Sequence, residues 1–248
     1  AEQYTIALQV DGDVTWGIDQ SPYVIGLPIS ELEPLGFSGG QGTFNGVPEG
    51  SALTIEPGVK IYLHQDSTFA ANGVLNAIGT PENMIVFTHA NCFENWGNLY
   101  FTGDQASASI LEYVRIQYSD DGVKGVNAFP HRIANSIIRK VGIYGLKIAL
   151  REGDFDGIEV VGNTISQGAG VAISIDLGPG ATIPRITIRE NEVSNFYNSG
   201  VIIGADEDLT AQPQVVVEHN VFENGFRGIG GGFAAVGNGK YLHNYNGN

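Results

Sequence analysis

The chain repeats itself at an interval close to 28 residues, and this restricts its fold more than any other property. Asn135-Ser-Ile137, Asn163-Thr-Ile165, Asn191-Glu-Val193 and Asn220-Val-Phe222 align at separations of 28, 28 and 29, each followed by Gly and an aliphatic residue. A period in this range belongs to solenoids, propellers and other arrays, whose units bury their apolar faces by stacking on one another. The spacing of apolar residues then separates helical from stranded units. Val171, Ile173 and Ile175 alternate with Ala172 and Ser174, and Ile186 and Ile188 alternate with Thr187 and Arg189. A period of two makes the units strands.

Charge narrows the partners. With 27 Asp and Glu against 12 Lys and Arg, the formal net charge is −15, so nucleic acid phosphates are repelled, and a cation or a neutral ligand fits better. The 35 glycines suit a strand-rich fold with many tight turns. A lone cysteine, Cys92, excludes an intrachain disulfide and a cysteine-based metal site, and is expected to be a buried or half-buried thiol. No uninterrupted apolar run is long enough to cross a bilayer, and the opening AEQYT has no basic-then-apolar leader. That is expected of a mature secreted form or of a trimmed chain.

Residues Ala1 to Gly50 are the least regular part, rich in Gly and Pro, and are expected to cap the stack. From Ser51 to Asn248 the texture is that of short alternating strands ended by Gly, Asn or Pro-Glu-Asn turns. ILEYVRIQYSDDGV, beginning at Ile110, is a first copy of the longer unit without its Asn. At the other end, Lys240-Tyr-Leu-His-Asn-Tyr-Asn246 repeats the start of Val217-Glu-His-Asn-Val-Phe222, so Asn244 begins a further rung. An open last rung is a place for self-association. Repeat arithmetic gives roughly eight or nine rungs in one domain.

Ala52-Leu-Thr-Ile-Glu-Pro-Gly58, Gly73 to Asn83 (GVLNAIGTPEN), Ile85-Val-Phe-Thr88 and Trp96-Gly-Asn-Leu-Tyr-Phe101 resemble the opening rungs of secreted right-handed parallel β-helix proteins of the pectate-lyase-like superfamily. Trp16 to Val24 (WGIDQSPYV) is similar to the lead-in segment of the same proteins. The resemblance covers most of the chain. It implies an all-β fold, a right-handed single-stranded parallel β-helix or solenoid with an N-terminal cap, at the cell surface or secreted. For function it is broad, because the superfamily holds lyases, hydrolases, epimerases, adhesins and proteins without known activity. It also implies that the Asn ladder marks the turn between the second and third sheets, and that ligands and catalytic groups lie on the first sheet and its following loops.

On that assignment the first-sheet strands begin after Gly145, Gly170, Gly200 and Gly228. Odd offsets from the Gly point inward: Leu146, Ile148, Leu150; Val171, Ile173, Ile175; Val201, Ile203, Ala205. Even offsets face solvent in three columns. Lys147, Ala172, Ile202 and Gly230 form the first, and Ala149, Ser174, Gly204 and Gly232 a floor of small residues that admits a flat ligand. Arg151, Asp176, Asp206 and Ala234 form the third, with Asp154, Asp156, Glu207 and Asp208 in adjoining loops. Two carboxylates one strand spacing apart can share a proton or divide acid and nucleophile roles, as in a retaining glycosidase. They can equally hold a hard cation, Ca²⁺ above all. The plainer alternative is an Arg151–Asp176 surface ion pair beside a turn capped by Asp206.

Lesser candidates remain. His219 and His243 precede the Asn column and read as a solvated exterior pair, a metal pair being the alternative. Lys147 with Arg151 matches the base and neutraliser that Lys and Arg supply in related lyases, although no motif peculiar to a lyase or galacturonase is present. Asp120-Asp121-Gly122 and Asp11-Gly-Asp13 lack the spacing of a calcium loop and read as turns. Two functional classes follow. One is an extracellular protein that recognises, and as a lyase or glycoside hydrolase cleaves, a polysaccharide around Lys147, Arg151, Ser174, Asp176 and Asp206. The other is a structural or adhesive surface solenoid without chemistry, one piece of a larger protein.

Overall fold

The computed structural model describes residues 5–7, 10–26, 46–90, 95–182, 185–205, 214–224, 227–230, 240–242 and 244–247. Their ordered elements are strands, apart from two 3-10 turns at Ile18–Gln20 and Asp104–Ala108. The strands form three long sheets of ten, nine and seven members. Every pairing within them is parallel, as short units stacked in sequence order require.

The seven-stranded sheet, here the first sheet, contains Phe69–Ala71, Leu99–Phe101, Asp121–Val126, Tyr144–Asp154, Val171–Thr182, Ser199–Ala205 and Arg227–Gly230. The nine-stranded second sheet runs from Asp13–Trp16 to Lys240–Leu242, and the ten-stranded third sheet from Thr5–Ile6 to Tyr245–Gly247. From Phe69 onward the chain visits first, second and third sheet in rotation. Within the first fifty residues, Thr5–Ile6, Asp13–Trp16 and Tyr23–Ile25 already take places in the third and second sheets. Residues 27–45 lie outside the described part, as does Cys92.

Between the sheets runs one continuous core in which like positions stack on like. Leu111, Ile133, Val160, Ile188 and Val217 pair in register on the second sheet. Phe87, Ile116, Ile138, Ile165, Val193 and Phe222 do so on the third. All eleven are buried within the same apolar cluster. Burying one such aliphatic chain is worth about 1.5 to 3 kcal/mol, and the alternation that places it inward is the one visible in the sequence. At the N-terminal end the core is filled by aromatics: Trp16 stacks on Tyr23 at 4.5 Å, and Phe69 meets Trp16 and Phe87 edge-on.

The ladder at the corner between second and third sheets differs from the expected one at its first member. Ile137 pairs with Thr164, not with Ile165, so Ser136 stands in line with Asn163, and Asn135 with Gly162. The spacing at that step is therefore 27 rather than 28. Ser136 serves in place of Asn: its Oγ accepts the Val114 amide at 3.0 Å and donates to Ala134 O, while its own amide donates to Asn163 Oδ1 at 2.9 Å. Above it, Asn163, Asn191, Asn220 and Asn244 are linked Nδ2 to Oδ1 at 2.9 to 3.0 Å.

At this corner the left-handed conformation belongs to the residue before the ladder position, not to the ladder Asn itself. Tyr113, Asn135, Glu190 and His219 have φ of 50 to 58°, and Gly162 sits at 66°. A second such row, at the ends of five successive third-sheet strands, holds Tyr118, Lys140, Gln167, Asn195 and Asn224 at φ of 52 to 61°. One left-handed residue turns the chain sharply enough to change sheets.

Candidate functional site

The first-sheet strand at Tyr144 pairs Tyr144 with Val171, Lys147 with Ser174 and Ala149 with Asp176. The next step pairs Ser174 with Ile202 and Asp176 with Gly204. The rung expected to begin at Gly170 is thus displaced by two residues from the alignment on glycines. Gly170 lies opposite Ile143: a Cβ there would come within 2.3 Å of Ile143 O. A shift of two leaves every inward residue inward, since side chains alternate with period two. Leu146, Ile148, Leu150, Val171, Ile173, Ile175, Val201 and Ile203 are all buried, while Ala205 has no described side chain.

The outward columns do change. One runs Tyr100, Lys124, Lys147, Ser174, Ile202. The next runs Val126, Ala149, Asp176, Gly204. The continuous floor of small residues is therefore absent: Ser174 belongs with Lys147, and Asp176 stands between Ala149 and Gly204. Ala172, expected outward, is fully buried, because it falls beside Gly145 where the strands crowd at their start.

Arg151 does not share a row with Asp176. A register shift after Leu150 sets Arg151 against Gly178 instead. The two side chains reach diagonally, Arg151 Nη2 to Asp176 Oδ2 at 2.9 Å, with 66% and 42% of each side chain exposed. Asn127 orders the Arg151 backbone, accepting its amide at 2.9 Å, and donates to Glu152 Oε1 at 3.1 Å. Asp206, Glu207, Asp208, Gly232, Ala234 and His243 lie outside the described residues. His219 is exposed in the first left-handed row.

Lys124 and Lys147 are immediate cross-strand neighbours, which places two ammonium-bearing stems about 4.8 Å apart. Each lies over a tyrosine: Lys147 Nζ is 4.7 Å from the Tyr144 ring centre and Lys124 Nζ 5.9 Å from that of Tyr100. The four ion pairs of the described residues involve neither lysine.

Asp121, expected in a turn, opens a first-sheet strand opposite Tyr144. Only 7% of it is exposed, and its Oδ1 accepts the Tyr144 amide at 3.3 Å. Burial pushes its carboxyl above the ordinary range; Lys124, the Tyr144 amide and Lys147 oppose this, and Asp120 adds to it. Composition alone could not have found this residue. The cue is its alignment with Tyr144, which needs the register.

On the flank, the long strands Tyr144–Asp154 and Val171–Thr182 extend past their neighbours. Beside them open two adjoining hollows of about 370 and 490 Å³, sharing Asp104, Ser107, Asp154 and Phe155. Asp156 and His131 line the first, and Glu152 the second. Among the described residues no group of three or more His, Cys, Asp or Glu is placed to hold a metal ion. Among the described residues no helix is long and apolar enough to cross a membrane. No family model, curated protein or solved structure matches this chain.

Proposed function

We propose that the chain winds its three sheets into a right-handed parallel β-helix of the pectate-lyase-like kind, secreted or at the cell surface, and recognises a polysaccharide along the first-sheet face. The observation that carries the reading is the outward column Tyr100, Lys124, Lys147, Ser174. Aromatic, cationic and hydroxyl groups follow one another at one strand spacing, so a linear polymer lying along the stack meets a polar or aromatic group at each rung. Asp176, two residues beyond Ser174, and Arg151, four beyond Lys147, border the track. Cleavage by elimination or hydrolysis is the catalytic form of this reading, with Lys147, Arg151 and Asp176 as its candidate groups.

The competing reading is a non-catalytic structural or adhesive solenoid. It is favoured by the Arg151–Asp176 contact, in which the two groups expected to serve a substrate neutralise one another.

Incubation with a panel of acidic and neutral glycans, with and without Ca²⁺, separates the two readings. Unsaturated-product absorbance, reducing ends and thermal shift are followed together. A shift with some glycan supports recognition, and product adds catalysis. Absence of both across the panel sinks the polysaccharide reading and leaves the structural one.

A further inference from the structure

Lys124 and Lys147 are in register on adjacent strands. Like charges directly opposite one another repel, yet the pair stands on one face of a chain with net charge −15. Each ammonium lies over a tyrosine ring, and neither enters an ion pair of the described residues. The tyrosine under Lys147 is the residue whose amide is bound by the buried carboxylate of Asp121. Both lysines also act electrostatically on that buried acid.

The charged groups acting on Asp121 are Lys124 on its own strand, Lys147 on the next and Asp120 just before it. The strand on its other side, Leu99–Phe101, brings Tyr100. No histidine is among the groups that act on it.

We infer that Lys124 and Lys147 form an oxyanion site whose occupancy is linked to a proton on the neighbouring Asp121. The inference rests on the reading of this face as ligand-bearing and adds the ligand's charge. An oxyanion bridging the two ammonium groups relieves their repulsion. It also offsets the lysines' electrostatic pull on the Asp121 proton. Asp121 therefore takes up a proton as the anion binds. By linkage, the affinity for the anion rises as the pH falls through the range in which Asp121 titrates. The site accepts a sulfate or carboxylate group, either free in solution or carried on a sugar.

Titration calorimetry at low ionic strength tests this with two probes: inorganic sulfate, and an oligosaccharide carrying carboxylates. Sulfate does not itself titrate in the range studied, so in two buffers of different ionisation enthalpy the wild-type protein reports the proton directly. The expected result is uptake of up to one proton per anion, with affinity rising by up to about tenfold per pH unit as the pH falls. In the K124Q/K147Q double variant, both side chains being half-buried on the outward face, binding is lost. In D121N, whose amide oxygen still accepts the Tyr144 N–H, binding persists while proton uptake and pH slope vanish.

Failure of both probes to bind overturns the site, and so does binding without proton uptake in the wild-type protein. The outcome differs from failure of the polysaccharide reading. A neutral glycan that binds while both anions do not leaves that reading intact and refutes the oxyanion site. Sulfate that binds with a proton while no glycan binds does the reverse.

Discussion

Asn163 is held twice by Asn191: its Nδ2 and its backbone amide both donate to Asn191 Oδ1, each at 3.0 Å. Asn191 in turn gives its own Nδ2 to Val160 O, Arg189 O and Asn220 Oδ1. Both residues are 1% exposed, so water cannot replace what one of them loses.

Asn191→Ala strips the Asn163 amide of its acceptor and several buried carbonyls of a donor. A buried group left unpaired costs about 1 to 3 kcal/mol, so the variant is expected to lose about 2 to 4 kcal/mol in total. Urea unfolding of variant and wild type checks this. An unchanged midpoint would mean that the ladder decorates the turn without holding it.

Gln167 is exposed at φ 61° in the second left-handed row, a conformation that costs a side-chain-bearing residue about 1 to 2 kcal/mol. Glycine gives back part of that through its own entropy in the unfolded chain. Gln167→Gly is expected to raise stability by up to about 1 kcal/mol. The same change at Asn163, which lies outside the left-handed row, is expected to destabilise. Thermal melts of the two variants distinguish the rows.

The Arg151–Asp176 pair is exposed on both sides. A double-mutant cycle with R151A and D176A is expected to give a coupling of about 0.2 to 1 kcal/mol, fading at high salt. A much larger coupling would show that the pair is sheltered by neighbours and carries structural weight.

Asp121 holds its proton to higher pH in the folded chain than the ordinary 3.8. The folded chain thus binds more protons than the unfolded one between those two values, and stability falls as pH rises through them. D121N has no such component. The melting temperature of the wild type relative to D121N is therefore expected to be highest below pH 3.8 and to decline above it. The opposite slope would place Asp121 among carboxylates stabilised by their ionised form.

Strand class and inward faces were legible in the sequence because period-two alternation survives errors of alignment. The slip of two residues at Gly170 left Val171, Ile173 and Ile175 correctly inside. The same slip misplaces the outward residues of that one rung, setting Ser174 beside Ala149 instead of Lys147. Glycine was a poor anchor, since Gly145 and Gly170 meet different needs of the backbone on adjacent rungs. Asn135 misled in a similar way: Asn suits both the left-handed site and the ladder, and the next residue, Ser136, can do the ladder's work. The second left-handed row had no readable signature, because Tyr118, Lys140 and Gln167 share only a backbone angle. Asp121 was hidden for the same reason as the lysine pair, both depending on register between strands more than twenty residues apart in sequence.

The most direct test of the first-sheet face as the ligand-bearing one is a calorimetric titration of the tightest-binding glycan of the panel. It is run against wild type, K147E, S174E and a control change on the third sheet, Ser194→Glu, which adds the same charge elsewhere. The account predicts affinity lowered at least tenfold by each first-sheet change and unaltered by S194E. Wild-type affinity in K147E and S174E, or a loss confined to S194E, would contradict it.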